Sequence, residues 1–412
     1  MSCQYIGEQL HLEQVALGDV AAAHGTPSYV YSTDQISENY RAYDNAFGAR
    51  HHSICYAVKA NSNIAILNLL RKLGAGFDVV SVGELERVVA AGGGDSDTVF
   101  AGVGKMRSEI ERALELDISC FNVESSDELQ LIDKIAGTNG TRASIAVRVN
   151  PDVDAKTHPY ISTGLNENKF GIPMVDAVSV YELAATLPNI DIVGVACHIG
   201  SQLTELAPFI AAAERVQLLL SALKEKGIEI EHVDIGGGLG ISYGANEPPP
   251  IIDYVNAICR AIDPSYRLVI EPGRSIVGDA GVLLTRVLFM KQTPAKLFAI
   301  VDASMTELIR PALYQAEHPI KTVIQNPQHE AQTMDIVGPV CETADFLAKN
   351  RELSVSENEL LAVLDAGAYG AVMASTYNSR PRPAEILVSK SEMHLIRRRD
   401  TIESLMANEQ LI

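Results

Sequence analysis

Ile54-Cys55-Tyr56-Ala57-Val58-Lys59-Ala60-Asn61 is the stretch that decides the fold. Apolar and small residues fill its first five positions, as in a buried strand, and a lysine stands near its end. Lysine is seldom fully buried unless it is paired. Asn61, Ser62 and Asn63 then bring side chains suited to capping a helix, and Ile64, Leu67, Leu70 and Leu73 recur at helical spacing up to Gly74. Lys59 thus sits where a strand hands over to a helix. In parallel α/β folds that edge faces the ligand crevice. Taken alone, the stretch also allows a strand-end lysine with its head in water, so the rest of the chain must decide.

The same hand-over repeats along the sequence. Strands are predicted over 53–61, 77–81, 98–101, 120–123, 144–150, 191–199, 232–235 and 267–270. Helices are predicted between them over 64–73, 81–91, 108–116, 126–135, 175–187, from Thr204 to Gly227, and over 251–261. Ser81 and Glu84 have the spacing of a capping box, and Thr204 reads as the cap of its helix. Eight strands alternating with helices over roughly 250 residues is the count of a (β/α)8 TIM-type barrel. The competing dinucleotide fold lacks its fingerprint. Gly236-Gly237-Gly238-Leu239-Gly240 does not fit G-x-G-x-x-G, because Ile241 and Tyr243 fall where the last glycine is required.

Beyond Arg274 helices become scarce. Strands are predicted over 282–290, 297–301, 321–324, 333–337, 359–364 and 384–388, which makes a second, mainly β domain. The expected division is a barrel over 26–274, a β domain over 275–400 joined by an N-terminal arm over 1–25, and a tail over 401–412. The polar stretch from Asp152 to Lys169 reads as a lid over the barrel mouth, since loops of that length are functional or disordered.

Composition narrows the function. With 412 residues the chain exceeds the usual limit of one hydrophobic core. A net charge of −19 argues against nucleic acid or an anionic membrane as the main partner. Any anionic ligand must then be met by a local cluster of arginine, lysine or backbone N–H groups. The six cysteines are scattered and form no C-x-x-C pair, which fits free thiols better than disulfides or a zinc site. No secretory signal or membrane-spanning run is visible, and the expected location is the cytoplasm.

On the barrel reading Lys59 ends the first strand, His198 the sixth, Gly236–Gly240 the seventh, and Glu271–Arg274 the eighth. All fall at strand C-terminal ends, where barrel enzymes keep their active sites. Glycine-rich turns after strands seven and eight suit a phosphate, because bare backbone N–H groups approach its oxygens closely. A phosphate, a lysine and a carboxylate in one mouth suggest pyridoxal phosphate. Lys59 would bond to its aldehyde, Glu271 would keep its pyridine nitrogen protonated, and His198 would lie against its ring. Singly, the glycine run is also an ordinary turn and His198 also an ordinary core histidine; their coincidence at one mouth carries the reading.

The strings Tyr56–Asn61, His198-Ile199-Gly200-Ser201-Gln202, Gly236–Gly240 and Glu271-Pro272-Gly273-Arg274 resemble the fold-type III pyridoxal-phosphate decarboxylases. Those enzymes combine an alanine-racemase-like barrel with a β domain. Within that group the resemblance is to the diaminopimelate decarboxylases, which make L-lysine from meso-2,6-diaminoheptanedioate. It rests on His158–Gly164, Lys169-Phe170-Gly171-Ile172, Arg310-Pro311-Ala312-Leu313-Tyr314, Gly338–Thr343 and Ala366-Gly367-Ala368-Tyr369-Gly370, and spans about Thr26 to Val388. Ser304 stands where that family leads one to expect glycine.

The resemblance implies roles. Lys59 would carry the cofactor, His198 would stack on it, and Glu271 would pair with its nitrogen. Ser201, Gly236, Gly237, Gly238, Gly273, Arg274 and Tyr369 would hold the phosphate. Arg274, Arg310, Tyr314, Glu342 and Tyr369 would hold substrate. Cys341 would protonate the α-carbon after carbon dioxide leaves, reaching with Glu342 into the neighbouring subunit of a homodimer. A decarboxylase for ornithine or arginine has no distal carboxylate for Arg310 to grip. An amino-acid racemase needs a second base where Cys341 offers an acid. A non-enzymatic carrier of the cofactor has no need of both Lys59 and Cys341.

Overall fold

The computed structural model describes residues 3–94, 97–153, 169–244, 246–325 and 330–412. The stretch read as a lid lies outside them except at its two ends, and so does His158–Gly164. The chain divides into two compact units. One comprises Asn39–Ile241 and Glu247–Ser275, and the other Met1–Glu38, Ser242–Asn246 and Ile276–Ile412.

The first unit is a closed parallel barrel. Its eight strands are His52–Ala57, Gly76–Val79, Thr98–Phe100, Cys120–Val123, Ala143–Asn150, Ile190–Cys197, His232–Asp234 and Arg267–Ile270. Each pairs with the next, and the ring closes where Leu268 to Ile270 run beside His52 to Ile54. Small residues fill the interior: Cys55, Val99, Cys120, Ala146, Ala196 and Val269 form one buried cluster, as a filled barrel requires.

Local chemistry sets the helices between strands. Helix Ile64–Leu73 opens where the Asn63 side chain accepts the Ala65 N–H and closes at Gly74, whose φ of 101° only glycine adopts freely. Its buried face is Ile66, Leu67 and Leu70, whereas Ile64 lies at its exposed start. Ser81 caps helix Val82–Ala90 as expected, but the returning bond from Glu84 goes to the N–H of Val80 at 2.8 Å. Thr204 does not cap its helix. That helix runs Ala207–Glu225 with Leu206 at its N-cap. The chain at Leu203 is held instead by the glycine turn, accepting from Gly240 N–H and donating to the Gly238 carbonyl at 2.9 Å each. The helix starts only after that tie, with Pro208 in its first turn.

The second unit is built on the twelve-residue strand Gly281–Gln292, which pairs antiparallel with Ser28–Ser32, Leu297–Val301 and Leu360–Val363. The sheet extends through Gln332–Val337 to Phe346–Leu353 on one side, and through Ala384–Ser389 to Glu392–Arg397 on the other. Its core gathers Val30, Val282, Leu284, Ala362 and Ile386 with Leu10, Leu12 and Val20 of the N-terminal arm. Residues 26–38, placed with the barrel in the sequence division, belong to this unit, because Ser28–Ser32 completes its sheet. The chain ends in an exposed short helix, Ile402–Met406. No helix among the described residues is long and apolar enough to cross a membrane.

Candidate active site

Lys59 stands in a single tight turn, Val58–Ala60, directly after the first barrel strand. Its Nζ pairs with Asp78 Oδ2, on the second strand. That carboxylate is fully buried, so the lysine is its compensating charge. The two lie at strand C-terminal ends, where a cavity of about 370 Å³ is lined by Lys59, Asn122, Arg148, Phe170, His198 and Glu271, among others.

Glu271 follows the eighth strand and is buried beside Asp234, which ends the seventh. The Asn122 amide bridges them, donating to Asp234 Oδ2 at 3.2 Å and Glu271 Oε1 at 3.4 Å. Asp234 Oδ1 accepts the Gly236 N–H at 2.8 Å. Burial pushes the Glu271 carboxyl well above its ordinary range, and the Asp234 and Asp78 carboxylates push it further against the pull of Lys59. Burial raises Asp234 as well. Two buried carboxylates this close do not both ionise cheaply, so a donor arriving at Glu271 is strongly favoured.

His198 is held neutral. Burial first, then the charges of Arg148 and Lys59, push its pKa well below the ordinary value. Its Nδ1 accepts the Gly237 N–H at 3.2 Å, which leaves the ring proton on Nε2. Arg148 donates to Glu124 Oε1 at 2.6 Å, and its guanidinium lies 5.0 Å from the centre of the Phe170 ring. Glu124 also accepts the Gly171 N–H at 2.7 Å, fixing that wall of the cavity.

The glycine turn after strand seven is tightly enclosed. A Cβ on Gly236 would lie 2.6 Å from the Cys197 carbonyl oxygen, one on Gly237 2.2 Å from that of Glu271, and one on Gly238 2.5 Å from that of Gly200. Gly236 and Gly238 also have φ of 71° and 114°. A Cβ on Gly273 would lie 2.9 Å from that of Ala60. Arg274 is buried and its Nη2 donates to Ser201 Oγ at 3.0 Å.

The remaining predicted residues belong to the second unit. Arg310 and Tyr314 begin and end the five-residue helix Arg310–Tyr314. Arg310 is buried, with Nη1 donating to Tyr243 Oη at 2.8 Å. Cys341 is exposed, and its N–H donates to Asn378 Oδ1 at 3.2 Å. Glu342 Oε1 accepts the Tyr377 hydroxyl at 2.8 Å. Tyr369 takes a φ of 55° in the turn after strand Leu360–Val363. These five stand on three different segments of the unit.

Sequence reasoning missed Asp78, Asn122, Arg148 and Asp234. The available signal was a charged or amide residue within or closing an otherwise apolar barrel strand, which a mouth-facing position explains.

The pyridoxal-binding domain of the pyridoxal-dependent decarboxylases matches residues 33–278. A diaminopimelate decarboxylase of Vibrio cholerae is 54% identical over 406 residues, covering 98% of this chain and 97% of its own. The crystal structure of diaminopimelate decarboxylase from Helicobacter pylori complexed with L-lysine superposes with a TM-score of 0.92 at 43% identity, covering 95% of this chain and 99% of that one. The M. jannaschii diaminopimelate decarboxylase in co-complex with L-lysine gives 0.95 at 39% identity, covering 100% and 98%. With Lys59, His198 and Glu271 gathered at one barrel mouth, the chain belongs to the pyridoxal-dependent decarboxylases, within the diaminopimelate decarboxylase family.

Proposed function

We propose that this chain, carrying pyridoxal phosphate, removes one carboxylate of meso-2,6-diaminoheptanedioate as carbon dioxide and leaves L-lysine, the closing step of lysine formation by that route. The observation that carries the reading is the cavity uniting Lys59, His198 and Glu271. The residues present fit the cofactor. The turn of Gly236–Gly238 is a cradle that any Cβ would fill, and Glu271 lies in a buried acidic cluster suited to a ring N–H donor. Lys59 would hold the aldehyde carbon. Ser201, Gly236, Gly237, Gly238, Gly273, Arg274 and Tyr369 would hold the phosphate, and His198 would offer an uncharged ring to the cofactor's face.

When bound, pyridoxal phosphate supplies a sink for the electron pair left by departing carbon dioxide. Glu271 keeps a proton at the ring nitrogen, which sustains that demand for electrons. Arg310, with Arg274, Tyr314, Glu342 and Tyr369, grips the substrate's remote amino-acid end. Arginine suits the remote carboxylate by its two-pronged geometry, and Glu342 suits the remote ammonium. The carbon–carboxylate bond breaks, and the Cys341 thiol gives its proton to the carbon that held it. The working unit of this reading is a homodimer in the cytoplasm, with Cys341 and Glu342 acting in the partner's site. Its support is the motif around Cys341 and the six cysteines, all free thiols.

Purified protein loaded with pyridoxal phosphate should release carbon dioxide from diaminoheptanedioate and not from ornithine or arginine assayed in parallel. Lys59→Ala should lose both the release and any borohydride-reducible link to the cofactor. Equal release from ornithine would overturn the substrate assignment, and a reducible link retained in the variant would overturn Lys59.

A further inference from the structure

Arg310 does not stand alone. Its guanidinium lies 4.7 Å from the centre of the Tyr243 ring, and its Nη1 donates to that ring's hydroxyl at 2.8 Å. Tyr243 is braced in turn. The His318 ring meets it edge-on, with centres 5.1 Å apart and planes at 74°. His318 is fully buried, and its Nδ1 is 2.9 Å from the Leu364 carbonyl, just past the end of strand Leu360–Val363. A line of contacts therefore runs from a sheet strand through two rings to one guanidinium. All four residues belong to the same compact unit, because Ser242–Asn246 counts with it although the chain on either side belongs to the barrel.

A long arginine side chain loses considerable rotamer freedom when it must present one geometry to a ligand. A ring 4.7 Å from the guanidinium and a hydroxyl at one N–H restrict that freedom in advance. A guanidinium has five N–H donors, so the bond to Tyr243 sets its plane without exhausting them. Lysine in place of arginine would lack the rigid fork of N–H donors that lets one bond orient the rest.

We propose that Tyr243 is a positioning residue that holds Arg310 in the plane needed to read the carboxylate remote from the reacting carbon, and so sets the preference for substrates that carry it. The inference rests on the role of Arg310 proposed above. L-Lysine retains the remote carboxylate, whereas 1,5-diaminopentane lacks it. Their competition against diaminoheptanedioate, measured on the cofactor-loaded enzyme, isolates the contact.

Tyr243→Phe keeps the ring and removes the hydroxyl. It should weaken lysine binding by about tenfold, the scale of one hydrogen bond to a charged group. Diaminopentane binding and kcat at saturating substrate should stay near wild type, with the loss appearing in KM. Tyr243→Leu removes the ring as well and should weaken lysine further. Arg310→Ala should abolish the preference for lysine over diaminopentane altogether. If Arg310→Ala abolishes it and Tyr243→Phe binds lysine as wild type does, the positioning role fails while that of Arg310 stands. If Arg310→Ala keeps the preference, the role of Arg310 fails and the inference with it. Equal weakening of both ligands in Tyr243→Phe would mean a merely structural tyrosine and would also overturn it.

Discussion

Glu271 shows at the scale of one residue how function and stability oppose each other. Its carboxyl is buried beside Asp234 and Asp78, and its folded pKa lies above the usual value of 4.5. The cofactor-free fold therefore binds more protons than the unfolded chain at pH above that value. That contribution to stability is complete below pH 4.5 and is lost as pH rises through the folded pKa. Glu271→Gln keeps the shape and removes the ionisation. The cofactor-free variant should thus melt higher than wild type at pH 8, by a few degrees, with the advantage vanishing near pH 4. It should also bind pyridoxal phosphate more weakly. A lower melting temperature at pH 8 would contradict the acidic cluster as a site of stored strain. Lys59 and Glu271 were legible because both fall at strand ends of one barrel mouth, a coincidence that neither residue supplies alone. Asp78 and Asp234 were not, since a carboxylate inside a short apolar run gives no hint of which way it faces until the barrel closes.

At the scale of elements, the barrel strands were legible to within a few residues because each is a short apolar run bounded by a turn. Cys120–Val123 and Arg267–Ile270 match residue for residue. The sheet unit was harder. Phe346–Leu353 carries Lys349, Arg351 and Glu352, and Glu392–Arg397 is mostly exposed. Both lie at sheet edges, where water on one side removes the apolar pattern a sequence reading relies on. Ser28–Ser32 finds its partner some 250 residues along the chain at Gly281–Leu284, a pairing that no local pattern encodes. The glycine turn after strand seven was legible as a motif, and its enclosure explains it. Gly237→Ala would set a methyl 2.2 Å from the Glu271 carbonyl oxygen, so the turns after strands seven and eight must part. Forcing extra atoms into a filled site costs about 1–3 kcal/mol. The variant should lose that much stability by denaturant unfolding, and its cofactor affinity should fall too, because the Gly237 N–H also holds His198. Unchanged cofactor binding would show that the turn is structural only.

The question at the scale of the whole molecule is where the proton for the product carbon comes from. The barrel mouth collects lysine, histidine, glutamate, asparagine and arginine from its own strands, and the thiols of Cys55, Cys120 and Cys197 are buried and pushed up well above their ordinary range by that burial. Such thiols are inert. Cys341, in the sheet unit, is by contrast exposed and flanked by the Glu342 carboxylate. A two-fold dimer lets such a group act in another subunit's mouth without a long loop, since an isologous contact supplies the residue twice. Sharing of that kind makes a sharp prediction. Lys59→Ala and Cys341→Ala should each be inactive, yet mixed and allowed to exchange they should recover up to about one quarter of wild-type activity. Random pairing makes half the dimers mixed, and each mixed dimer holds one intact site of two. Sites built within a single subunit would give no recovery however completely the subunits exchange. Mass spectrometry of the mixture, with one variant isotopically labelled, establishes the exchange independently, so a mixture that exchanges and stays inactive sinks the shared site.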